Sequence, residues 1–239
     1  MKSSLQEFQE TQSTEAFALQ NAKLLKVSLD QVTIQARLGA MVAYQGDVRF
    51  EHAGAGGLGR MLKKAATGEG TKLMKMTGTG EVFLADQAQD LHLLTLENEQ
   101  ITCNGANLLA FDAGIDWDIQ RVEGGMAGAL AGGLYNVALS GTGQVAIISD
   151  GPPVMLGTGD APTFADPQAA IAWSGGVRTK VKADVNMKTF IGRGSGESIQ
   201  LAFEGDGWVL VQPSEGRVTP TTGSGAGGGG GGLLGKLGG

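Results

Sequence analysis

The sequence predicts an all-β protein made of three tandem sandwich- or barrel-like repeats joined by short inserts. Three observations lead to this. Short apolar or alternating stretches are punctuated by turn residues along the chain, the pattern of β-sandwiches and barrels. Glycine is abundant, at 41 of 239 residues, and only 11 of these fall after Thr222. A strand, Gly-X-Gly, strand pattern also recurs three times at near-constant spacing, and such self-similarity is the mark of a repeat architecture. Composition excludes the fibrous alternatives. There is no Gly-X-Y period, only 6 prolines and no sustained heptad, so neither collagen nor a coiled coil fits. At 41% hydrophobic the chain can bury a core and is not globally disordered.

Residues 1–15 are polar, lack the apolar run of a secretory signal and read as a loosely held N-terminus. The first repeat spans 16–85. Its Gly-X-Gly is Gly78-Thr79-Gly80, followed by the β-favouring Val82-Phe83. The second spans 86–148, with Gly141-Thr142-Gly143 followed by Val145-Ala146-Ile147. The third spans 149–212, with Gly205-Asp206-Gly207 followed by Trp208-Val209-Leu210. The first glycines are 63 and then 64 residues apart. Each pair is read as a tight turn or bulge between strands, where a positive φ is needed. A phosphate-binding loop would require a helix after the glycines, and strand formers follow instead. Further turns are expected at Asp86, Asn104-Gly105 and Asp150-Gly151-Pro152-Pro153.

A second marker recurs with the first: Ala43-Tyr44-Gln45-Gly46, Ala110-Phe111-Asp112-Ala113-Gly114 and Ala172-Trp173-Ser174-Gly175. A half-buried strand follows, as in Ile115-Asp116-Trp117-Asp118-Ile119. After each marker, charges fall at equivalent positions. These are Arg49 and Glu51, then Asp116 and Asp118, then Arg178, Lys180 and Lys182. Such charges either coat a solvated, pairing-resistant strand or join an acidic strand to a basic one as a candidate electrostatic interface.

The inserts between strands differ most. In the first, Leu58, Met61, Leu62 and Ala65 share one face of a short helix while Arg60, Lys63 and Lys64 lie opposite. The second, with Met126 and Leu130, is apolar all round, and the third has shrunk to a turn near Gly192 to Gly196. Leu58, Met61, Leu62, Met126 and Leu130 form a candidate contact face. Residues 213–239 are a flexible glycine-rich tail. The stretch from Gly124 to Ser149 carries no charge, yet its internal Asn136, Ser140, Thr142 and Gln144 argue against a membrane span.

Chemistry is sparse. One cysteine and two histidines, Cys103, His52 and His92, are too few for a typical zinc site or a recognisable nucleophile motif. No catalytic residue, cofactor or metal is expected. The net charge of −6 argues against nucleic acid as a partner. A cytoplasmic location is expected, with membrane-surface association as an option that the basic insert leaves open.

The order of these motifs resembles the bacterial members of the altered inheritance of mitochondria 24 family, over roughly residues 20–239. That resemblance implies a tryptophan RNA-binding attenuation protein-like fold, a double-stranded β-helix unit repeated three times about a pseudo-threefold axis. It implies no reaction. No tryptophan-binding motif or RNA-binding cation set maps onto this chain. The expected function is therefore that of a non-catalytic, scaffold-like protein that self-associates as a homo-oligomer. A small-ligand or RNA-binding module using clefts between repeats, or a membrane-surface protein, is the alternative.

Overall fold

The computed structural model describes residues 4–52, 73–121, 135–183 and 199–214. After a single 3-10 turn at Ser4–Phe8, the regular structure of these residues is all strand. The strands are β1 (Phe17–Asn21), β2 (Leu24–Asp30), β3 (Ile34–Arg37), β4 (Met41–His52) and β5 (Leu73–Leu84) in the first segment. The second holds β6 (Asp90–Asn104), β7 (Leu108–Asp112), β8 (Asp116–Arg121) and β9 (Tyr135–Ser149). The third holds β10 (Val154–Gly157), β11 (Thr163–Ala165), β12 (Ala170–Ser174), β13 (Arg178–Ala183), β14 (Ile199–Glu204) and β15 (Trp208–Val211). All pairings are antiparallel. The three expected turn sites fall between β5 and β6, β6 and β7, and β9 and β10.

Long strands that change partner midway organise the sheets. β5 pairs with β4 along its length. On its other side β3 covers Leu73 to Met76 and β2 covers Thr79 to Leu84. β9 pairs with β6 throughout, with β8 beside its first half and β7 beside its second. In the third segment β14 lies between β11 and β13, and β15 between β10 and β12. The change of partner falls at the Gly-X-Gly each time.

This corrects one expectation. Gly78, Gly80, Gly141 and Gly143 lie inside continuous strands and mark bends rather than chain reversals. Only Gly205 and Gly207 flank a break between two strands. The physical demand behind the pattern is a positive φ, which runs 119° and 153°, 126° and 149°, and 109° and 159° through the three pairs. At each pair the two halves take different neighbours, and at the third they belong to different sheets, β14 to the smaller and β15 to the larger.

The segments interlock through strand pairs. β3 pairs with β7, and β6 with β12. Twelve strands thus share one sheet, while β11, β14 and β13 form a second. The core follows the same interlocking. Leu25, Val27, Ile34, Met76 and Val82 pack with Leu91, Leu109 and Ile148 of the second segment. Phe111, Leu139 and Val145 pack with Ile171 and Leu210 of the third. Burying such a side chain contributes roughly 1.5–3 kcal/mol, so each junction is a shared core as well as a ladder of hydrogen bonds.

Candidate functional site

The two sequence markers meet at each bend. Tyr44 pairs with Val82, Phe111 with Val145 and Trp173 with Val209, each valine lying two residues after the second glycine. A register shift precedes the marker alanine in all three strands. The polar residue after the aromatic then engages the residue after the second glycine. Gln144 N donates to Asp112 Oδ2 at 2.6 Å and Trp208 N to Ser174 Oγ at 3.1 Å. Gln45 Nε2 donates to the Glu81 carboxylate at 2.5 Å. The marker aromatics are each met edge-on by another ring, Tyr44 by Phe50, Phe111 by Trp117 and Trp173 by Phe203.

The charged positions also occupy matching register. Arg49, Asp116 and Arg178 lie opposite Thr77, Ser140 and Glu204, and Glu51, Asp118 and Lys180 lie opposite Lys75, Ala138 and Ala202. In the structure β8 is paired with β9 and β13 with β14. Asp118 Oδ1 accepts from the Ile119 amide, and Lys180 Nζ forms an ion pair with Glu204 at 2.8 Å. The Lys180 ammonium holds the Glu204 carboxyl below its ordinary pKa. Lys182 sits over the Phe164 ring, 4.7 Å from its centre, a cation–π contact. Thr158, Asp160, Phe164, Lys180, Lys182 and Glu204 line one open cleft on this small sheet. Arg178, Lys180 and Lys182 thus belong to a single exposed face, while Asp116 and Asp118 sit on a different sheet.

The residues with reactive chemistry are turned to structural use. Cys103 is buried and its Sγ donates to Val137 O. Burial pushes its thiol pKa up to about 12, which suppresses the thiolate that nucleophilic chemistry needs. His92 Nε2 is 2.7 Å from Ser149 Oγ, and burial lowers its pKa against the opposing pull of Asp90. His52 ends β4. Among the described residues no cluster of three or more His, Cys, Asp or Glu could hold a metal. Nor is any described helix long and apolar enough to cross a membrane. The contact-face residues Leu58, Met61, Leu62, Met126 and Leu130, both expected helical inserts and the tail from residue 215 lie outside the described residues.

Two clusters were not anticipated from the sequence. Lys26 on β2 is 2% exposed and ion-paired to Glu10 at 2.5 Å and Glu81 at 2.6 Å, with Thr11 O accepting at 3.0 Å. Burial alone would lower its pKa, but hydrogen bonds to the two carboxylates outweigh this and hold it above its ordinary value. In return Lys26, helped by Gln45, lowers Glu81 to about 2. The N-terminal segment is thereby strapped onto β2 at Glu10 and Thr11. A lysine alternating with apolar neighbours in Leu24-Leu25-Lys26-Val27 is the one local signal of this cluster. Arg37 forms the second. It bonds Asp86 at 2.5 Å, Leu108 O at 2.9 Å, Gly105 O at 3.3 Å and also Ala106 O, tying the β6–β7 turn to β3.

The edges of the sheets complete the picture. Among the described residues β4 has β5 as its one strand partner, β11 has β14 and β10 has β15. Val42 and Tyr44 on β4, Val154 and Met155 on β10 and Phe164 on β11 are all exposed. Phe111 and Trp173, the register equivalents of Tyr44, are 0% and 3% exposed.

Comparison with solved structures finds the same architecture in a bacterial protein. The chain is similar to the crystal structure of protein SPYM3_0169 from Streptococcus pyogenes, with a TM-score of 0.67 at 19% identity. The match covers 83% of this chain and 92% of that one. Comparison with curated protein sequences gives no match. The family model described as Mitochondrial biogenesis AIM24 matches residues 17–214, from the first strand to just past the last, and the chain accordingly belongs to the AIM24 family.

Proposed function

We propose that this protein is a non-catalytic, scaffold-like component of the cytoplasm that works by self-association. The observation that carries the reading is the contrast between Tyr44, 52% exposed, and its buried register equivalents Phe111 and Trp173. An open strand edge is a template for pairing with another chain, and exposed apolar side chains clustered along it mark an interaction surface. The matching register of the bends supports three equivalent units in a pseudo-threefold, attenuation-protein-like arrangement. The engagement of His92 with Ser149 and the burial of Cys103 support a role without covalent catalysis. Native mass measurement of protein purified from its own cells tests the proposal. The expected mass is a multiple of the 24.5 kDa chain with no bound small molecule, and a bare monomer across the micromolar range would overturn it.

A second reading has one observation in its favour. The cleft at Lys180, Lys182 and Phe164 sets two cations and a ring beside Asp160 and Glu204, a mixed polar and apolar surface suited to a small polar ligand. A retained small molecule in the same mass spectrum, lost on Lys180→Glu and Lys182→Glu substitution, is the result that would favour it.

A further inference from the structure

The two junctions between segments share one register. At the first, Ala36, Gln35 and Ile34 of β3 pair with Ala110, Phe111 and Asp112 of β7. At the second, Cys103, Thr102 and Ile101 of β6 pair with Ala172, Trp173 and Ser174 of β12. In both, the marker's alanine, aromatic and polar residue form the second strand. The strand before it is defined by its own register to the following bend. Gln35 lies opposite Lys75, three residues before Gly78, and Thr102 lies opposite Ala138, three before Gly141.

The third segment holds the same element at β11. Phe164 lies opposite Ala202, three residues before Gly205, so Phe164 occupies the position of Gln35 and Thr102. The marker strand that would follow it is the one left over, Ala43, Tyr44 and Gln45 of β4. A third junction in the common register sets Ala165 opposite Ala43, Phe164 opposite Tyr44 and Thr163 opposite Gln45. Both halves exist in the chain, yet neither has this partner. Among the described residues β11 pairs with β14 and β4 with β5, and Tyr44 and Phe164 are exposed at 52% and 41%.

We infer that β11 of one copy pairs antiparallel with Ala43–Gln45 of β4 in a second copy, reproducing between chains the junction made twice within each. The occupant is a second copy because the edge is specified on both sides by the register of this chain. The small alanines at positions 43 and 165 match those at 36, 110 and 172, which lets the two strands approach. The contact is heterologous, so it propagates head to tail and closes as a ring or extends as a filament. Phe164 and Tyr44 would form a cross-strand aromatic pair, with Lys182 already seated on Phe164. The inference rests on the self-association reading and specifies its surface.

Disulfide trapping tests it. Full-length Tyr44→Cys and Phe164→Cys single variants, one carrying a mass tag, are mixed and mildly oxidised. Buried Cys103 serves as an internal control that stays reduced. The expected product is a tagged–untagged heterodimer exceeding either homodimer at least tenfold, and the double variant should give a ladder of covalent multimers. An internally bridged double-variant monomer, with no heterodimer in the mixture, would show that the chain closes on itself and overturn the inference. A parent protein that is oligomeric by native mass but yields no heterodimer would overturn this surface while leaving self-association standing. To guard against misfolding, both variants are first required to keep the parent far-ultraviolet spectrum. Tyr44→Lys with Phe164→Lys then provides a second measurement, with loss of the oligomer expected and an unchanged mass counting against the proposal.

Discussion

At single positions, the distinction between the two glycines of the second bend is the sharpest consequence of the structure. A Cβ on Gly143 would stand 2.7 Å from Asp112 Oδ2 and 3.2 Å from Ile115 Cδ1, whereas one on Gly141 would meet nothing nearer than Ile115 Cα at 3.9 Å. Both have positive φ, so both substitutions carry backbone strain, of order 1–3 kcal/mol. Gly143→Ala also disturbs the carboxylate that accepts from Gln144 N. Urea unfolding should therefore show Gly143→Ala to be destabilised by roughly 1 kcal/mol more than Gly141→Ala; equal midpoints would mean that the bend gives way without cost. Charge at residue scale makes a second prediction. Glu81 has a folded pKa of about 2 against an ordinary 4.5. Its contribution is complete above pH 4.5 and is lost as pH falls toward 2. With 28% of its side chain exposed, the discounted contribution is about 1–2 kcal/mol. Glu81→Gln should lower stability at pH 7 by that amount and flatten the acid limb between pH 4.5 and pH 2, as read from urea midpoints, while an acid limb as steep as the parent's would refute the pairing.

For an element, what matters is how neighbouring strands are held in register. Arg37 joins β3 to the β5–β6 connection through Asp86 and to the β6–β7 turn through the carbonyls of Gly105, Ala106 and Leu108. A planar, forked guanidinium can serve several acceptors at once, and an ammonium cannot reproduce that geometry. Arg37→Lys is thus expected to recover little of the roughly 2–3 kcal/mol lost in Arg37→Ala, since charged hydrogen bonds to partly buried acceptors are at stake. Full recovery in thermal or urea unfolding would reduce Arg37 to a generic positive charge. The bends and the marker aromatics were legible in the sequence because each answers a local demand, a positive φ or a half-buried ring beside a bulge. Arg37 and Lys26 were not, because their partners lie 49 to 71 and 15 to 55 residues away and no local pattern announces them. The turn reading of Gly78 and Gly141 erred for a related reason. A positive φ indicates that the backbone bends, but whether the chain then reverses depends on which strands lie alongside.

At the scale of the whole molecule, the all-β class and the three-segment spacing could be read from residue pattern alone, whereas the strand order could not. The order β1-β2-β5-β3-β7-β9-β6-β12-β15-β10 depends on pairing between segments, and β3 and β11 carry no signature as single sequences. That order leaves the molecule unevenly supported. The long path shares its cores across segment borders, while β11, β14 and β13 form a three-stranded sheet of their own. Its cluster joins Leu201 and Phe203 to Trp173 and Val209 on the long path, with Val177 of the β12–β13 connection between them. Small sheets with few buried partners open by sub-global fluctuation, before the core strands do. Amide exchange of β14 should therefore be faster than that of β9 at low protein concentration, although both are central in their own sheets. Concentration then separates an isolated chain from an assembled one. If β11 is covered by β4 of a second copy, mass action stabilises the assembled form, and protection of β11 and β14 should rise between nanomolar and micromolar protein while that of β9 stays constant. Protection of β14 that is independent of concentration and already equal to that of β9 would show instead that the small sheet is fully supported within one chain.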